Sequence, residues 1–194
     1  MTDAAARHAD YPIDRLFLDR HSPRSFTDHV LSEGALLTLL EAARWAPSSS
    51  NHQPWRFAYG LRGDAGFGRI ADTLVPGNRI WAEKAAALVI IASKTGVERD
   101  GVTLANSAHG FDAGAAWMSL ALQTHLQGLA AHAMGGFDKA LAADLLALPV
   151  GHELHAVVAI GQMGAPDLLP KALQAGEAPN RRVGLGALAR WGSF

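Results

Sequence analysis

Ala85-Ala86-Ala87-Leu88-Val89-Ile90-Ile91-Ala92, AAALVIIA, is a short apolar run with β-branched residues near its end. A strand with apolar side chains on both faces needs cover on both, so the run predicts a central buried strand. Upstream, Trp55, Phe57 and Tyr59 alternate with Arg56 and Ala58 and run into Gly60, the pattern of a half-buried strand. Before it, Ser32 can cap a helix whose apolar face is Leu36, Leu39, Leu40 and Ala43 and which Pro47 stops. Earlier still, Ile13, Leu16 and Phe17 have helical spacing within residues 11–19, ending at a basic turn.

Downstream of the central run, residues 112–127 are apolar on nearly every side, which predicts a helix buried all round. Gly128 can cap its end, residues 129–134 can form a strand, and Gly135-Gly136 breaks it before a helix capped by Asp138. A last strand is expected over 156–160. The order α, α, β, β, α, β, α, β predicts an α+β fold, a mixed central β-sheet with helices on both faces, rather than a regular βαβ repeat. Beyond Gly161 the chain is proline-broken, and a tail of that length is expected to wrap something.

At 194 residues the chain suits one domain spanning 1–194. A formal net charge of −1 gives no reason to expect nucleic acid or an acidic membrane as partner, so any basic site must be local. The absence of cysteine excludes disulfides, thiolate catalysis and iron–sulfur or thiolate-zinc centres. MTDAAARHADYPIDR has no apolar core of signal-peptide length, and no apolar run reaches the roughly 18 residues of a membrane helix. The expectation is a cytoplasmic protein.

Two polar stretches can carry chemistry. Arg20-His21-Ser22-Pro23-Arg24 sets two guanidinium groups and a hydroxyl about a stiff turn, a plausible grip on phosphate; the competing reading pairs both arginines with Asp19, Asp28 or Glu33. Pro47 and Pro54 bracket Ser48-Ser49-Ser50-Asn51-His52-Gln53, short donors and acceptors suited to hydroxyls, phosphate oxygens or the polar edge of a heterocycle, or else to a turn that caps its own backbone. Arg181-Arg182 is a second basic cluster. The glycines of GDAGFG, residues 63–68, have the wrong spacing for a dinucleotide loop, and His152-Glu153-Leu154-His155 lacks the helical spacing of a zinc protease, so no metal is expected. His125 and His132 read as core histidines, and no nucleophile elbow is present.

Taken in order, RHSPRSF, APSSSNHQPWRF, GGFD and EAPNRR resemble the motifs of the flavin-dependent nitroreductase family over nearly the whole chain. The resemblance implies a homodimer with two FMN sites at its interface, each built from both subunits. Arg20, His21, Ser22 and Arg24 match the family's basic turn, so Arg20 and Ser22 would meet the FMN phosphate and ribityl chain, with Arg24 nearer the pyrimidine edge as the stabiliser of reduced flavin. Pro47, Ser48, Ser49, Asn51 and Gln53 would reach the flavin of the other subunit. Asn78 would meet the pyrimidine, Gly135 and Gly136 would bring backbone amides to flavin N5, and Arg181, with Arg182 second to it, would hold the phosphate. NADH or NADPH would donate hydride to N5, and a nitroaromatic, quinone or similar small aromatic acceptor would follow in ping-pong order, with no catalytic side chain required. Asn78 is followed by Arg79, Ile80 and Trp81 where relatives often carry another basic residue, and the chain is short enough that a helical insertion over the substrate pocket is expected to be reduced. The alternatives are a flavin-binding or storage module, a flavoprotein with other chemistry, and an interaction protein whose arginines are only surface.

Overall fold

A computed structural model describes residues 7–193, so the reading of the first six residues lies outside it. Asp14 accepts from Leu16 N at 2.8 Å and opens α1 (Arg15–Asp19). Ser32 caps α2 (Glu33–Arg44) through Ala35 N at 3.2 Å, and Leu36, Leu39 and Ala43 form its buried stripe. The chain then runs through a single 3-10 turn into β1 (Trp55–Leu61), α3 (Ala65–Asp72), α4 (Pro76–Ala82) and β2 (Ala87–Lys94). A hairpin, β3 (Gly96–Arg99) and β4 (Val102–Ala105), leads to α5 (His109–Leu126), β5 (Ala130–Met134), α6 (Lys139–Leu145), β6 (His152–Gly161) and the short α7 (Lys171–Gln174). The segment between β2 and α5 is thus a hairpin, with no helix.

The main sheet has the order β1-β2-β6-β5. The α+β class with helices on both faces is as expected, but the sheet is antiparallel in all its pairings among the described residues instead of mixed. The connections explain this. The excursion through α3 and α4 starts and finishes at one end of the sheet, so β2 returns along β1, whereas a parallel pairing needs a crossover running the length of the sheet.

β2 is central and buried from Ala87 to Ser93. Leu88, Ile90 and Ala92 face the core under α3, α4 and α6, while Val89 and Ile91 face the core under α2 and α5. Packing to α3 is close: a Cβ on Gly60 would collide with the backbone of Phe67 and Gly66. The glycine-rich run therefore serves helix-on-strand contact, and Asp64 caps α3 by accepting from Phe67 N at 2.6 Å.

α5 departs from expectation. Ala113, Ala116, Leu120, Ala121 and Thr124 are buried against the sheet, but Phe111 is 85%, Met118 38% and Leu126 66% exposed on the opposite side. Its apolar sequence thus serves one face buried against the sheet and one left exposed in this chain. No helix among the described residues is long and apolar enough to cross a membrane.

Candidate functional site

The basic turn folds against the start of β5. Arg20 and His21 line a small cavity with Ala130 and Ala131, and His132 donates Nδ1–H to the Pro23 carbonyl at 3.0 Å. The tail fixes the turn from the other side. The Glu177 carboxylate is buried and accepts from the backbone N–H groups of Arg24 (2.8 Å) and Ser25 (3.0 Å), while its Oε1 has no partner. Such a buried, unfilled acceptor beside Arg24 is suited to a ligand N–H or O–H.

Arg7 completes the arrangement. Its guanidinium donates to the carbonyls of Leu18 (2.9 Å), Arg20 (2.6 Å) and Asn180 (2.9 Å), tying the N-terminal segment, the basic turn and the tail together. Burial, then the charges of Arg7 and Arg182, hold the Arg20 pKa below its ordinary value. Arg7 is lowered by burial and by Arg182 as well. Like charges gathered this way gain from a bound anion. The competing surface pairings do not occur: Asp19 binds Arg15 at 2.7 Å, Asp28 lies 4.0 Å from Arg62, and Glu33 takes the Tyr59 hydroxyl at 2.7 Å. Among the described residues Arg20, Arg24 and Arg182 form no ion pair. Arg182 is the tail arginine whose charge bears on Arg20; Arg181 lies exposed next to it. Ser22 accepts from Arg20 Nη1 at 3.2 Å, and His21 Nδ1 sits 3.4 Å from the Asp19 carbonyl.

At the far end of β5 stands the glycine pair. Asn78, on α4, donates Nδ2–H to the Gly136 carbonyl at 2.9 Å, and a Cβ on Gly136 would sit 2.6 Å from that nitrogen. A side chain at position 136 therefore has to displace the Asn78 amide, whereas a Cβ on Gly135 would meet nothing within 4 Å. Arg79 is occupied by Glu83 at 2.6 Å and Asp72 at 3.0 Å and adds no free cation there. Phosphate-type donors and an open backbone corner thus lie at the two ends of one edge strand, and these residues fit an elongated cofactor with a dianionic tail.

The Pro47–Gln53 loop is placed elsewhere. It enters β1, the opposite edge of the sheet, three strand spacings or about 14 Å from β5. Its form is set by more than its prolines. Asp112, buried in the first turn of α5, accepts from Ser49 N at 3.2 Å, Ser48 Oγ accepts from Gln53 N at 3.0 Å, and Gln53 Nε2 donates to the Asn51 carbonyl at 3.1 Å. Ser50, Asn51 and Gln53 all have positive φ, at 48°, 55° and 47°. Left-handed backbone at non-glycine positions costs about 1–3 kcal/mol each and persists where the surrounding contacts over-determine it, as the Asp112 and Ser48 hydrogen bonds do here. One chain therefore sets Arg20, His21, Ser22, Arg24 and Arg182 near one end of β5 and Asn78, Gly135 and Gly136 at the other, and leaves Pro47, Ser48, Ser49, Asn51 and Gln53 at the opposite edge of the sheet.

Arg7, Asp112 and Glu177 had no local sequence signal, since each acts on backbone far away in the chain. The His152–His155 motif opens β6, where His155 Nε2 lies 2.6 Å from Ser93 Oγ, itself 2.7 Å from His109 Nδ1. That arrangement is a part-buried hydrogen-bonded contact between side chains. Among the described residues no group of three or more metal-ligating side chains gathers.

The model of the nitroreductase family matches residues 18–65, which hold the basic turn and the polar loop. Nitrobenzene nitroreductase of Ectopseudomonas oleovorans is 47% identical over 53 residues, 27% of this chain and 23% of that one. A Streptomyces coelicolor protein with the provisional name NADH dehydrogenase/NAD(P)H nitroreductase is 35% identical over 77 residues, 40% of this chain and 38% of that one. The matches thus span well under half the length of these two relatives. A solved structure described as an oxidoreductase containing FMN is 42% identical, covers 100% of this chain and 98% of that one, and superposes with a TM-score of 0.95.

Proposed function

The chain belongs to the FMN nitroreductase family, and from that membership we propose that it is a cytoplasmic, single-domain NAD(P)H oxidoreductase that reduces nitroaromatics, quinones or similar electron-poor aromatics in a ping-pong cycle. The observation that carries the reading is the gathering of Arg7, Arg20 and Arg182 without ion pairs to Arg20 or Arg182 at one end of β5, with Gly136 and Asn78 at the other. When bound, FMN supplies the hydride acceptor and donor, N5, between nicotinamide and acceptor.

The side chains bind and orient. Arg20, Arg182 and Ser22 hold the phosphate, with His21 beside them. Arg24, its backbone fixed by Glu177, sets positive charge toward the pyrimidine edge. Asn78 and the backbone at Gly135 and Gly136 define the reactive corner. Arg181 flanks the phosphate from solvent.

The functional unit is a homodimer. Pro47, Ser48, Ser49, Asn51 and Gln53 stand on the wrong edge of their own chain, and the exposed apolar side of α5 gives a second copy a surface to cover. The tail past Arg182, with Trp191 and Leu188 exposed, wraps the partner. Initial rates of the FMN-loaded protein with NADH or NADPH and a nitroaromatic or quinone test the activity. Parallel double-reciprocal lines are expected; a protein that holds FMN yet transfers no electrons from either nicotinamide refutes it and favours a flavin-storage role.

A further inference from the structure

The end of the sheet that carries the polar loop has a second group of donors, apart from the proposed FMN contacts. Between that loop, the end of β2 and the β3–β4 hairpin lies a cleft of about 240 Å³ lined by His52, Arg56, Lys94, Glu98 and Asn106 among others. Asn106 is 6% exposed, and its Nδ2 has no hydrogen-bond partner. The orientation of the amide follows from its other atom, since Oδ1 accepts from Ala108 N at 3.2 Å. A buried amide N–H left without a partner is uncommon, and a ligand acceptor is one way to satisfy it.

The cleft's charge has the matching sign. Arg56 Nη1 donates to the carbonyls of Gln53 (3.2 Å) and Trp55 (2.7 Å), which seats its guanidinium beside the loop. Lys94 Nζ lies 3.8 Å from Glu98 Oε1, but that oxygen also takes the Thr103 hydroxyl at 2.7 Å, which draws the carboxylate toward the hairpin. Two cations against one carboxylate leave an excess positive charge in the cleft that Asn106 also lines. His52 joins this cleft to Asn51 and Gln53 of the loop.

We propose that the cleft binds an anionic group, carboxylate or phosphate, on a molecule whose reactive part reaches past the loop to the flavin, so that the protein prefers a negatively charged acceptor or donor to its neutral analogue. The preference rests on the flavin reading; the anion site itself does not. Two sources can carry the charge, and the test separates them. In FMN-loaded protein, kcat/KM is measured for 4-nitrobenzoate against 4-nitrobenzamide, and for NADPH against NADH, in the parent, in Arg56→Gln/Lys94→Gln and in Asn106→Asp, which keeps the acceptor for Ala108 N.

The expected result is a loss of about tenfold or more, as expected for a charge-assisted hydrogen bond, confined to one pair's more anionic member and lying in KM. The acceptor pair or the donor pair that responds identifies the source. Equal losses for both members of each pair, or no loss in any, overturn the proposal while leaving the flavin reading intact. If the chain takes up no FMN, calorimetric titration with benzoate and inorganic phosphate still decides the site: saturable binding weakened in both variants supports it, and binding unchanged in them, or absent from the parent, overturns it.

Discussion

The imidazole of His132 lies between the basic turn and the indole of Trp81, 4.8 Å from it centroid to centroid. A carbonyl only accepts, so the Pro23 contact puts a proton on Nδ1. Burial, with help from the Arg24 charge, lowers the His132 pKa despite the opposing Pro23 contact. His155 is also lowered, chiefly by burial. For a base depressed in the fold, the unfolded chain binds more protons below its ordinary value of about 6.5, so stability is complete above that value and is lost as pH falls through it. Urea midpoints should therefore drop as pH is taken from about 7.5 to 5.5, and His132→Gln should flatten the dependence; an unchanged slope in that variant refutes the assignment. Glu177 makes a second residue-scale test. Glu177→Ala leaves the N–H of buried Ser25 unpaired, which should cost about 1–3 kcal/mol in urea unfolding and weaken FMN uptake together. Loss of neither contradicts its placement as the pin of the basic turn.

Helices and strands were legible where burial imposes a period. β2 shows as an uninterrupted apolar run because both faces are covered, and α2 shows as a stripe because one is. α3 and α4 did not show. AGFGRIAD carries two glycines in eight residues and has poor helical propensity, yet it forms because Asp64 caps it and Phe67, Ile70 and Ala71 bury against the sheet. The β3–β4 hairpin was hidden for another reason: β4 is exposed throughout and carries no core pattern. Strand direction was illegible as well, since it depends on the end of the sheet from which each excursion leaves. The glycine pair offers a test at this scale. Gly136→Ala should displace Asn78 and lower FMN affinity by about tenfold, the loss of roughly one hydrogen bond's contribution, while Gly135→Ala should leave the folded chain as stable as before. Titration of both variants with FMN, beside their unfolding curves, checks this; tight FMN binding by Gly136→Ala would contradict the role of that corner.

Across the whole molecule, the candidate site divides between two edges of one sheet. The motifs themselves were legible from residue type and order, because phosphate needs guanidinium and a polar loop is unusual in a chain this apolar. Their separation was not, because only the strand order shows that β1 and β5 are the outermost strands. A site shared between copies predicts complementation. Arg20→Ala chains and Ser48→Ala/Asn51→Ala chains, each deficient in FMN binding, should regain one intact site in each mixed dimer after they are unfolded and refolded together. Recovery of no FMN would place the whole site within one chain. The proposed activity requires this site to hold FMN and to pass electrons from a nicotinamide through it. The most direct test is an anaerobic titration of the purified, FMN-loaded protein with NADH and with NADPH, followed in the flavin absorption band. At least one of them should bleach the band at one equivalent per flavin, and a nitroaromatic or quinone should restore the colour; a band that neither nucleotide bleaches, or a protein that takes up no FMN, would contradict the proposed activity.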